Sequence, residues 1–364
     1  MSEGPGRAGI VGGGVAGLGA AIALRAKGWD VTVYERAERF AEVGAGVFLS
    51  VNALRALDVL GLGDAVRAHA IADGPCVVRN QRGRVLLHAR IEDFVGGLVP
   101  IHRADLLALL VAAVPAECVR LGTRVLGVDA AGWVETASER ARYDLVVAAD
   151  GVHSRIREQL WPGSGAVRRS GVMSWRWVLD AGVAGEPGFV WGRAAESGLV
   201  PMADGRSILY AAARTKDGGL EQFSGWPAPI PALLAAAGPE RAVRNELVDI
   251  AVPRRLWRGR VALVGDAGHA MLPTLGQGAC QALEDAVMLA ECAPDLARYS
   301  SVRRRRVAVL SSLARQAMSL TGPGSPVLAA LRDAALVAAP DALTRKLLHL
   351  SNVRVISGWR PPEG

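Results

Sequence analysis

The chain has 364 residues, more than one small domain needs and fewer than most three-domain enzymes use. Hydrophobic residues make up 51% of the chain and charged residues 21%, so the sequence supports a large core and excludes global disorder. The net charge of +7 is carried mainly by arginine, since only three of the 42 basic residues are lysine.

The arginines are spread along the chain except for a run at residues 303–306, which we interpret as a solvated helix face. No nucleic-acid recognition motif accompanies them, so we expect no nucleic-acid partner. Planar guanidinium groups match phosphate and carboxylate groups, and anionic cofactors are therefore the expected ligands.

Cysteine spacing and hydropathy exclude further classes of protein. The N-terminus lacks the long apolar segment of a signal peptide, and the longest apolar run, residues 106–114, is about half a membrane span. We therefore expect a cytoplasmic protein without stable membrane insertion. Neither a disulfide framework nor a metal site is expected, because the four cysteines are far apart and form no CxxC pair: Cys76, Cys118, Cys280 and Cys292.

The chain begins with a predicted strand, helix and second strand, at residues 8–11, 15–27 and 31–35. Apolar residues recur with a helical period in the second of these segments, and Gly28 marks its end. Such a βαβ unit is right-handed and forms the first part of a parallel sheet.

Two later apolar strands are predicted at residues 143–149 and 260–264, and a glycine and an aspartate follow each of them. Between them, residues 166–257 alternate strand-like runs with Pro and Gly turns. This pattern predicts a mostly antiparallel sheet inserted into the parallel one.

The end of the chain is predicted to be helical. The expected helices cover residues 275–292 and 303–318, and a third begins at Ser325-Pro326, where serine would be the cap and proline the first helical residue.

A glycine-rich turn follows the first predicted strand. In its GxGxxG pattern Gly12 allows the tight turn, Gly14 lets the backbone approach a pyrophosphate, and Gly17 lets the helix pack on the sheet. The N–H groups at the start of the helix favour the same anion. Glu35 ends the second strand, where a carboxylate can accept both ribose hydroxyls and would repel a 2′-phosphate. These features predict dinucleotide binding.

Two further turns follow predicted strands. Residues 150–157 read DGVHSRIR, a DGxxSxxR pattern that could also be only a turn with a helix cap. Residues 265–278 read GDAGHAMLPTLGQG, in which Asp266 is placed to bind a polyol chain such as ribityl. The glycines before the next helix leave its N–H groups open to a ring carbonyl or a developing anion.

In this order the three patterns resemble those of the single-component FAD-dependent aromatic hydroxylases, the family of para-hydroxybenzoate and salicylate hydroxylases. The resemblance covers nearly the whole chain and includes the family's HRxxL segment at residues 102–106 and its flavin loop at residues 42–46. Gly268 in place of the commoner Ala and Val51 in place of Pro are mild departures. The implied fold class is α/β, with a Rossmann-like FAD-binding domain, an inserted mostly antiparallel β-sheet substrate domain and C-terminal helices.

The predicted domain division follows this pattern. The FAD-binding domain is discontinuous and comprises residues 1–72, 97–165 and 258–325. The substrate domain comprises residues 73–96 and 166–257. A C-terminal helical segment covers residues 326–364.

The resemblance also implies which residues bind FAD. Arg103 would pack on the flavin, Val125 would contact adenine through backbone groups, and Asp266 would hold the ribityl chain. The DGxxSxxR segment is associated in this family with both FAD and NAD(P)H. The predicted FAD-binding residues are Gly12, Gly14, Val15, Ala16, Gly17, Glu35, Arg36, Gly46, Arg103, Val125, Asp150, Asp266, Pro273, Gly276, Gln277 and Gly278.

The implied reaction is a monooxygenation. NADPH or NADH would reduce non-covalently bound FAD, and the reduced flavin would add O2 to give a C4a-hydroperoxide. This hydroperoxide would hydroxylate an aromatic or polycyclic small molecule, and the enzyme would act in secondary metabolism. The protein is expected to be a monomer or a homodimer. Two alternatives share the motifs, namely a flavoprotein epoxidase of an alkene and a non-oxygenating flavoprotein. A halogenase is disfavoured because Val178 and Leu179 stand where its WxWxIP motif requires other residues.

The substrate side is less defined by the sequence. No catalytic acid or base is identified, and His269 is interpreted as a structural residue. Alternation places Trp175 and Trp177 on one sheet face, where they could line a substrate cavity or pack in the core, and Arg176 on the other face is interpreted as solvated. The substrate-pocket candidates are Trp175, Trp177, Trp191, Tyr210 and Pro273.

Overall fold

The computed structural model describes residues 6–40, 45–71, 74–91, 93, 98–181, 187–214, 216, 219–348 and 354–362. The described strands are β1 Arg7–Val11, β2 Asp30–Tyr34, β3 Gly46–Ser50, β4 Pro75–Asn80, β5 Val85–Arg90, β6 Leu98–His102, β7 Val119–Arg120, β8 Val125–Val128, β9 Trp133–Thr136, β10 Arg140–Arg142, β11 Leu145–Ala148, β12 Val167–Leu179, β13 Gly188–Trp191, β14 Ala195–Pro201, β15 Ser207–Arg214, β16 Val243–Ile250, β17 Trp257–Arg258 and β18 Val261–Leu263. The described α-helices are α1 Val15–Ala26, α2 Val51–Val59, α3 Gly63–Arg67, α4 Arg103–Ala112, α5 Arg155–Leu160, α6 Ile230–Ala237, α7 Asp266–His269, α8 Gly278–Cys292, α9 Leu296–Thr321, α10 Pro326–Ala338, α11 Asp341–Leu348 and α12 Arg354–Ser357.

A six-stranded sheet, in the order β17-β18-β11-β1-β2-β7, forms the centre of the FAD-binding part. Its strands are parallel except for β17, which runs antiparallel to β18. The carboxyl ends of four strands lie side by side, since Val11 pairs with Tyr34 and Ala148, and Ala148 pairs with Leu263. All three glycine-acid turns therefore leave the sheet at one edge, which is where open α/β sheets bind ligands.

Helix α1 packs on this sheet and against helix α8. Its sequence is rich in Ala and Leu, which favour a helix, and Gly28 ends it with φ +86°. A Cβ on Gly19 would lie 3.2 Å from the Cβ of Ala286, so the two helices approach closely. The buried side chains of Leu18 and Leu283 belong to the same core cluster.

The second large sheet has seven strands in the order β16-β12-β15-β14-β13-β4-β5. Its neighbouring strands are antiparallel except for the parallel pair β13 and β4. The fold class is therefore confirmed, including the mostly antiparallel inserted sheet. The boundaries of the domains remain a prediction.

The C-terminal helices differ in detail from the predicted ones. Helix α8 begins at Gly278 and not at residue 275, because Pro273–Leu275 forms a 3-10 turn and Gly276 adopts a left-handed conformation with φ +63°. Ser325 caps helix α10 as predicted, its hydroxyl accepting the N–H of Leu328. Within the described ranges no helix is both long and apolar enough to span a bilayer.

Candidate cofactor and substrate site

The GxGxxG turn holds helix α1 close to the sheet and leaves open space at one glycine. Gly12 has φ +111°, and a Cβ there would lie 2.4 Å from the carbonyl oxygen of Ala149. A Cβ on Gly17 would lie 1.8 Å from the carbonyl oxygen of Gly12. At Gly14 a Cβ would meet no heavy atom of the described chain within 4 Å. Close packing therefore requires two of these glycines, and the third leaves room for a ligand.

Glu35 lies beside this turn with both carboxylate oxygens oriented by the backbone. Oε2 accepts the N–H of Gly13 at 2.7 Å, and Oε1 accepts the N–H of Ala37 at 2.8 Å. Each carboxylate oxygen has a second lone pair that can accept a further hydrogen bond. This arrangement is suited to binding a pair of ribose hydroxyls.

The DGxxSxxR segment connects the second turn to the third. The hydroxyl of Ser154 caps helix α5 by accepting the N–H of Arg157 at 2.9 Å. The Arg157 side chain is buried and donates to the carbonyl oxygens of Val152 at 2.7 Å and Ala267 at 2.9 Å. Arg157 thus fixes the two turns relative to each other.

Asp150, at the start of the same segment, has one carboxylate oxygen without a partner. Its Oδ2 accepts the N–H of Ile156 at 3.3 Å, whereas its buried Oδ1 has no hydrogen-bond partner among the described residues. Burial raises the pKa of this carboxyl, and hydrogen bonds from Ser154 and the backbone act in the opposite direction. A buried acceptor without a donor fits a site that receives a hydrogen-bonding ligand.

Asp266 lies in the third turn, at the start of helix α7, and its side chain is exposed. We call the region between the three turns, at the carboxyl edge of the parallel sheet, the cofactor cleft. Burial raises the pKa of Asp266, and the charges of His269, Arg103 and Arg157 oppose this effect. The charge of Arg103, in the HRxxL segment, therefore acts on Asp266 in the third turn.

A buried polar network behind the start of helix α8 was not identified from the sequence. The amide nitrogen of Asn52 donates to Gln277 Oε1 at 3.0 Å and to Glu284 Oε1 at 2.6 Å. Gln281 donates to the same two oxygens, at 3.2 and 2.8 Å. All four side chains are fully buried. The network fixes Gln277, the residue that precedes helix α8, against helix α2.

Arg303 continues this network, and its interpretation as a solvated residue was wrong. Its side chain is fully buried, Nε donates to Asp285 Oδ1 at 2.7 Å, and the guanidinium also pairs with Glu284. Arg306 is mostly buried as well and pairs with Glu284. The signal for this burial was present in the sequence, because Arg303 shares one helical stripe with Val307.

Asp285 connects the network to the third turn. It accepts the N–H of Gly265 at 2.8 Å and pairs with the buried side chain of His269. Burial alone would raise the pKa of Asp285, but the charges of His269 and Arg303 outweigh it and lower this pKa to about 2. His269 is therefore a structural residue, as the sequence analysis interpreted it.

The inserted sheet has two different faces. We define its outer face by Trp175, Trp177 and Leu209, which pack with helix α6, and the indole nitrogen of Trp177 donates to the carbonyl oxygen of Gly238 at 2.8 Å. Of the two interpretations that the sequence left open for these tryptophans, the structure favours core packing. Trp191 packs in another cluster, together with Val78.

The inner face, which we define by Arg176, Ile208, Tyr210 and Ala212, is directed toward the FAD-binding part. Arg176 and Tyr210 are cross-strand partners and lie on the face opposite to Trp175 and Trp177. The Arg176 side chain is half-buried on this inner face and donates to the amide oxygen of the exposed Asn245, and its interpretation as a solvated residue stays a prediction.

The cleft fits the parts of FAD. Open space at Gly14 can take the pyrophosphate at a helix N-terminus, and Glu35 is oriented for the adenosine ribose. Asp266 presents an accessible carboxylate for the ribityl hydroxyls. Asp150 adds a buried acceptor that needs a donor.

Comparison with known proteins agrees with this geometry. Residues 7–293 match the model of a family described as FAD binding domain. The chain is 36% identical over 326 residues to the aurachin C monooxygenase/isomerase of Stigmatella aurantiaca, with 82% of this chain and 85% of that protein covered. It is 37% identical over 350 residues to the 3-amino-4-hydroxybenzoate 2-monooxygenase of Streptomyces cremeus, with 85% and 86% covered.

The chain is similar to a solved structure, that of Klebsiella pneumoniae HpxO complexed with FAD and uric acid, with a TM-score of 0.86 and 28% sequence identity. The match covers 96% of this chain and 97% of the HpxO chain. The chain belongs to the FAD-dependent aromatic hydroxylases. It is an FAD-dependent monooxygenase, and FAD is its cofactor. The predictions of family, enzyme class and cofactor are confirmed.

The structure brings most of the predicted flavin-site residues to one edge of the parallel sheet. Gly46 begins β3, Val125 begins β8 near the end of β2, and Arg36 is an exposed residue directly after Glu35. The remaining part of the predicted flavin loop, residues 42–44, lies outside the described residues. The individual contacts of these residues with FAD stay predictions.

Asp266→Ala is expected to weaken FAD binding in this flavoprotein. A charged acceptor for buried hydroxyls contributes about 1.5–3 kcal/mol, so the FAD dissociation constant should rise at least about tenfold. Titration of apoprotein with FAD measures it, and Asp64→Ala, at an exposed carboxylate, is the matched control. Equal dissociation constants in Asp266→Ala and the parent would show that another group holds the ribityl chain.

Glu35→Ala is expected to loosen FAD by a similar amount, because the adenosine ribose would lose its charged acceptor. Unfolding in urea should show that the fold is retained. Glu38→Ala, which removes an exposed carboxylate three residues away, should bind FAD like the parent. A Glu35→Ala protein with unchanged affinity would refute the ribose assignment.

Proposed function

We propose that this monooxygenase consumes NAD(P)H and hydroxylates an aromatic or polycyclic small molecule. The observation that carries the proposal is that all three FAD motifs converge at one edge of the parallel sheet and that the inner face of the inserted sheet is directed toward them. Gly46 approaches Ile208 closely, since a Cβ on Gly46 would lie 2.0 Å from the Cδ1 of Ile208. Ala212 packs in one cluster with Leu272 and Leu275 of the third motif.

The names of the relatives support a ring compound as substrate. One relative is named for 3-amino-4-hydroxybenzoate, and HpxO was solved with uric acid. Both molecules are small, planar and rich in electron-donating substituents. A substrate of this kind would lie between the flavin and the inner face, which carries two of the predicted pocket candidates, Tyr210 and Trp191.

When bound, FAD supplies the redox chemistry, accepting a hydride from NAD(P)H and activating O2 for transfer of one oxygen atom by the route that the family resemblance implies. The chain itself supplies position and electrostatics. Backbone N–H groups at the N-terminus of helix α8, after Gln277, stabilise negative charge by about 0.3–1 kcal/mol, or about 2 kcal/mol when partly buried. At about 1.36 kcal/mol per pKa unit, this helix terminus would lower the pKa of a flavin nitrogen bound beside it by about one unit.

A true substrate is expected to raise the rate of NAD(P)H oxidation at least about tenfold, which corresponds to about 1.4 kcal/mol in the barrier to flavin reduction. Flavin reduced without substrate would waste reducing equivalents as H2O2, so restraint until substrate binds is favourable. Stopped-flow reduction of the bound flavin, with and without the best ligand from a screen of phenols and polycyclic aromatics, measures this. Equal rates with product still formed would mean that reduction is not gated.

The same assay separates the alternative functions. If the purified FAD-loaded protein consumed no O2 with NADH or NADPH in the presence of any phenol in the screen, it would be a non-oxygenating flavoprotein. An epoxide formed from an alkene, with no hydroxylated phenol, would identify an epoxidase.

A further inference from the structure

Helix α10 uses one side to pack on the inserted sheet. Leu336 packs against the cluster that contains Trp191 of β13. The buried guanidinium of Arg332 donates to the carbonyl oxygens of Trp191 and Gly192, each at 3.3 Å. Arg332 also pairs with Asp333 at 2.7 Å, and the helix contains no other charged residue. The inner side of the helix therefore has partners for its apolar and its charged side chains.

The opposite side of helix α10 is apolar and exposed. Every exposed residue of this helix is apolar, and the largest are Val327, Leu328 and Leu331, exposed by 65%, 57% and 60%. Leu320, in the last turn of helix α9, is 57% exposed and lies beside them, because its carbonyl oxygen accepts Nη1 of Arg332 at 3.3 Å. We call these four apolar residues the apolar patch. Single exposed leucines are common, but a group of them on adjoining turns marks an interaction site.

Two turns of the inserted sheet that contact helix α10 carry exposed arginines. The first turn joins β4 and β5, holds Arg82 and Arg84, and is bound to the helix by the side chain of Asn80, which donates to Asp333 Oδ2 at 2.9 Å. The second turn joins β13 and β14, holds Arg193, and accepts a hydrogen bond from the buried guanidinium of the helix. Cations therefore lie beside the apolar patch.

The charges of these arginines are not compensated locally. None of the three guanidinium groups has a counter-ion in the described part of the chain. A fourth, that of Arg214, lies beside the loop before helix α10, since a Cβ on Gly324 would lie 3.4 Å from its Nη1. Helix α11 adds one exposed carboxylate, Asp341, and one exposed ammonium group, Lys346, which offset each other. The border of the patch is therefore positively charged.

The size and charge of this surface favour a lipid bilayer over a second copy of the chain. The apolar patch and the alanines of helix α10 expose roughly 300–600 Å², whereas each partner of a stable dimer buries roughly 800 Å². In a two-fold dimer the same surface meets itself, which would bring the basic borders of two copies together. An anionic bilayer provides an apolar layer for the leucines and negative headgroups for the arginines.

We propose that the apolar patch and the arginines beside it dock helix α10 on the surface of an anionic lipid bilayer. The leucines would enter the headgroup region, and the guanidinium groups would bind the anionic headgroups. The proposal goes beyond the proposed function and does not depend on it. Because helix α10 packs on the inserted sheet, docking would hold this sheet next to the bilayer.

Two kinds of vesicle test the proposal, one of phosphatidylcholine alone and one of phosphatidylcholine mixed with the anionic phosphatidylglycerol. Cosedimentation of FAD-loaded protein measures its affinity for each. The parent should bind the mixed vesicles at least about tenfold more tightly, because each arginine near an anionic surface adds to the attraction. High salt should remove this difference, since it screens exposed charges.

The double variant Leu328→Gln/Leu331→Gln tests the apolar patch. It should bind the mixed vesicles at least about tenfold more weakly than the parent, because it loses two apolar side chains that would leave water on docking. Val59→Gln/Val302→Gln is the matched control, since it replaces two exposed apolar residues of helices α2 and α9 outside the patch, and it should bind like the parent. FAD content and urea unfolding, measured for each variant, establish that the fold is retained.

A second pair of variants tests the charges. Arg82→Gln/Arg193→Gln should reduce the preference for the mixed vesicles. Arg25→Gln/Arg305→Gln removes the same number of charges from exposed positions on helices α1 and α9 and should retain the preference.

The proposal would be overturned by a parent protein that binds neither kind of vesicle or binds both equally tightly, or by a Leu328→Gln/Leu331→Gln protein that binds like the parent. A parent that binds no vesicle and forms a dimer, which the same double variant dissociates in sedimentation velocity, would assign the patch to a second copy of the chain. The proposed function fails differently, because FAD-loaded parent protein would then consume no O2 with NADH or NADPH, whatever the result with vesicles.

Discussion

Gly14→Ala is expected to give a stably folded protein that no longer retains FAD. The backbone at Gly14, with φ −85° and ψ −172°, is extended and suits alanine, and a Cβ there would meet no atom of the described chain within 4 Å. The methyl group would instead occupy the space in which the pyrophosphate approaches the start of helix α1. We expect FAD affinity to fall at least about 100-fold, about 2.8 kcal/mol.

Gly17→Ala is the matched comparison, because its glycine serves packing and not ligand approach. Its Cβ would lie 1.8 Å from the backbone oxygen of Gly12, so the helix must move from the sheet at a cost of about 1–3 kcal/mol. Urea unfolding of the two apoproteins and their titration with FAD separate the effects. Equal loss of stability in Gly14→Ala would contradict the assignment of open space to the ligand.

The sequence predicts the parallel sheet well because local signals agree there. Period-3.6 apolar residues, the GxGxxG turn and Gly28 all indicate the same strand-helix-strand unit, and the structure contains it within one residue of the predicted bounds. The three motifs also follow strands, and parallel strands bring their carboxyl ends to one edge. The position of the cofactor site therefore follows from local patterns and one topological rule.

The same reasoning cannot decide which face of the inserted sheet meets the flavin. Alternation separates Trp175 and Trp177 from Arg176, but it does not say which set is covered by helix α6 and which by the FAD-binding part. Large aromatic side chains are as suited to a core as to a pocket. That choice depends on contacts between distant segments, such as Gly46 with Ile208.

The buried charges were missed for a related reason. A run of four arginines is typical of a solvated helix face, and only the partners of Arg303 show otherwise. Glu284 and Asp285 are on another helix, and no local pattern pairs them with Arg303. The helical stripe that Arg303 shares with Val307 indicates that Arg303 is buried, but it does not indicate which acidic side chains compensate the charge of Arg303.

Arg303→Met is expected to lower the free energy of unfolding by about 3–5 kcal/mol, the usual cost of removing one member of a buried ion pair. The methionine side chain fills similar volume but leaves Glu284 and Asp285 without their shared cation. Glu284 keeps Arg306, so the larger loss falls on Asp285, which would keep His269 and the backbone N–H of Gly265 as its partners among the described residues. Urea denaturation of the apoprotein measures the change.

Arg305→Met is the control, since Arg305 belongs to the same run of arginines but its side chain is exposed. It should change the free energy of unfolding by no more than about 0.5 kcal/mol. Because Asp285 also holds the backbone N–H of Gly265, directly before Asp266, Arg303→Met should weaken FAD binding as well. Equal stability of the two variants would mean that the buried acids take up protons at little cost. FAD affinity unchanged in Arg303→Met would mean that the third turn keeps its geometry without Arg303.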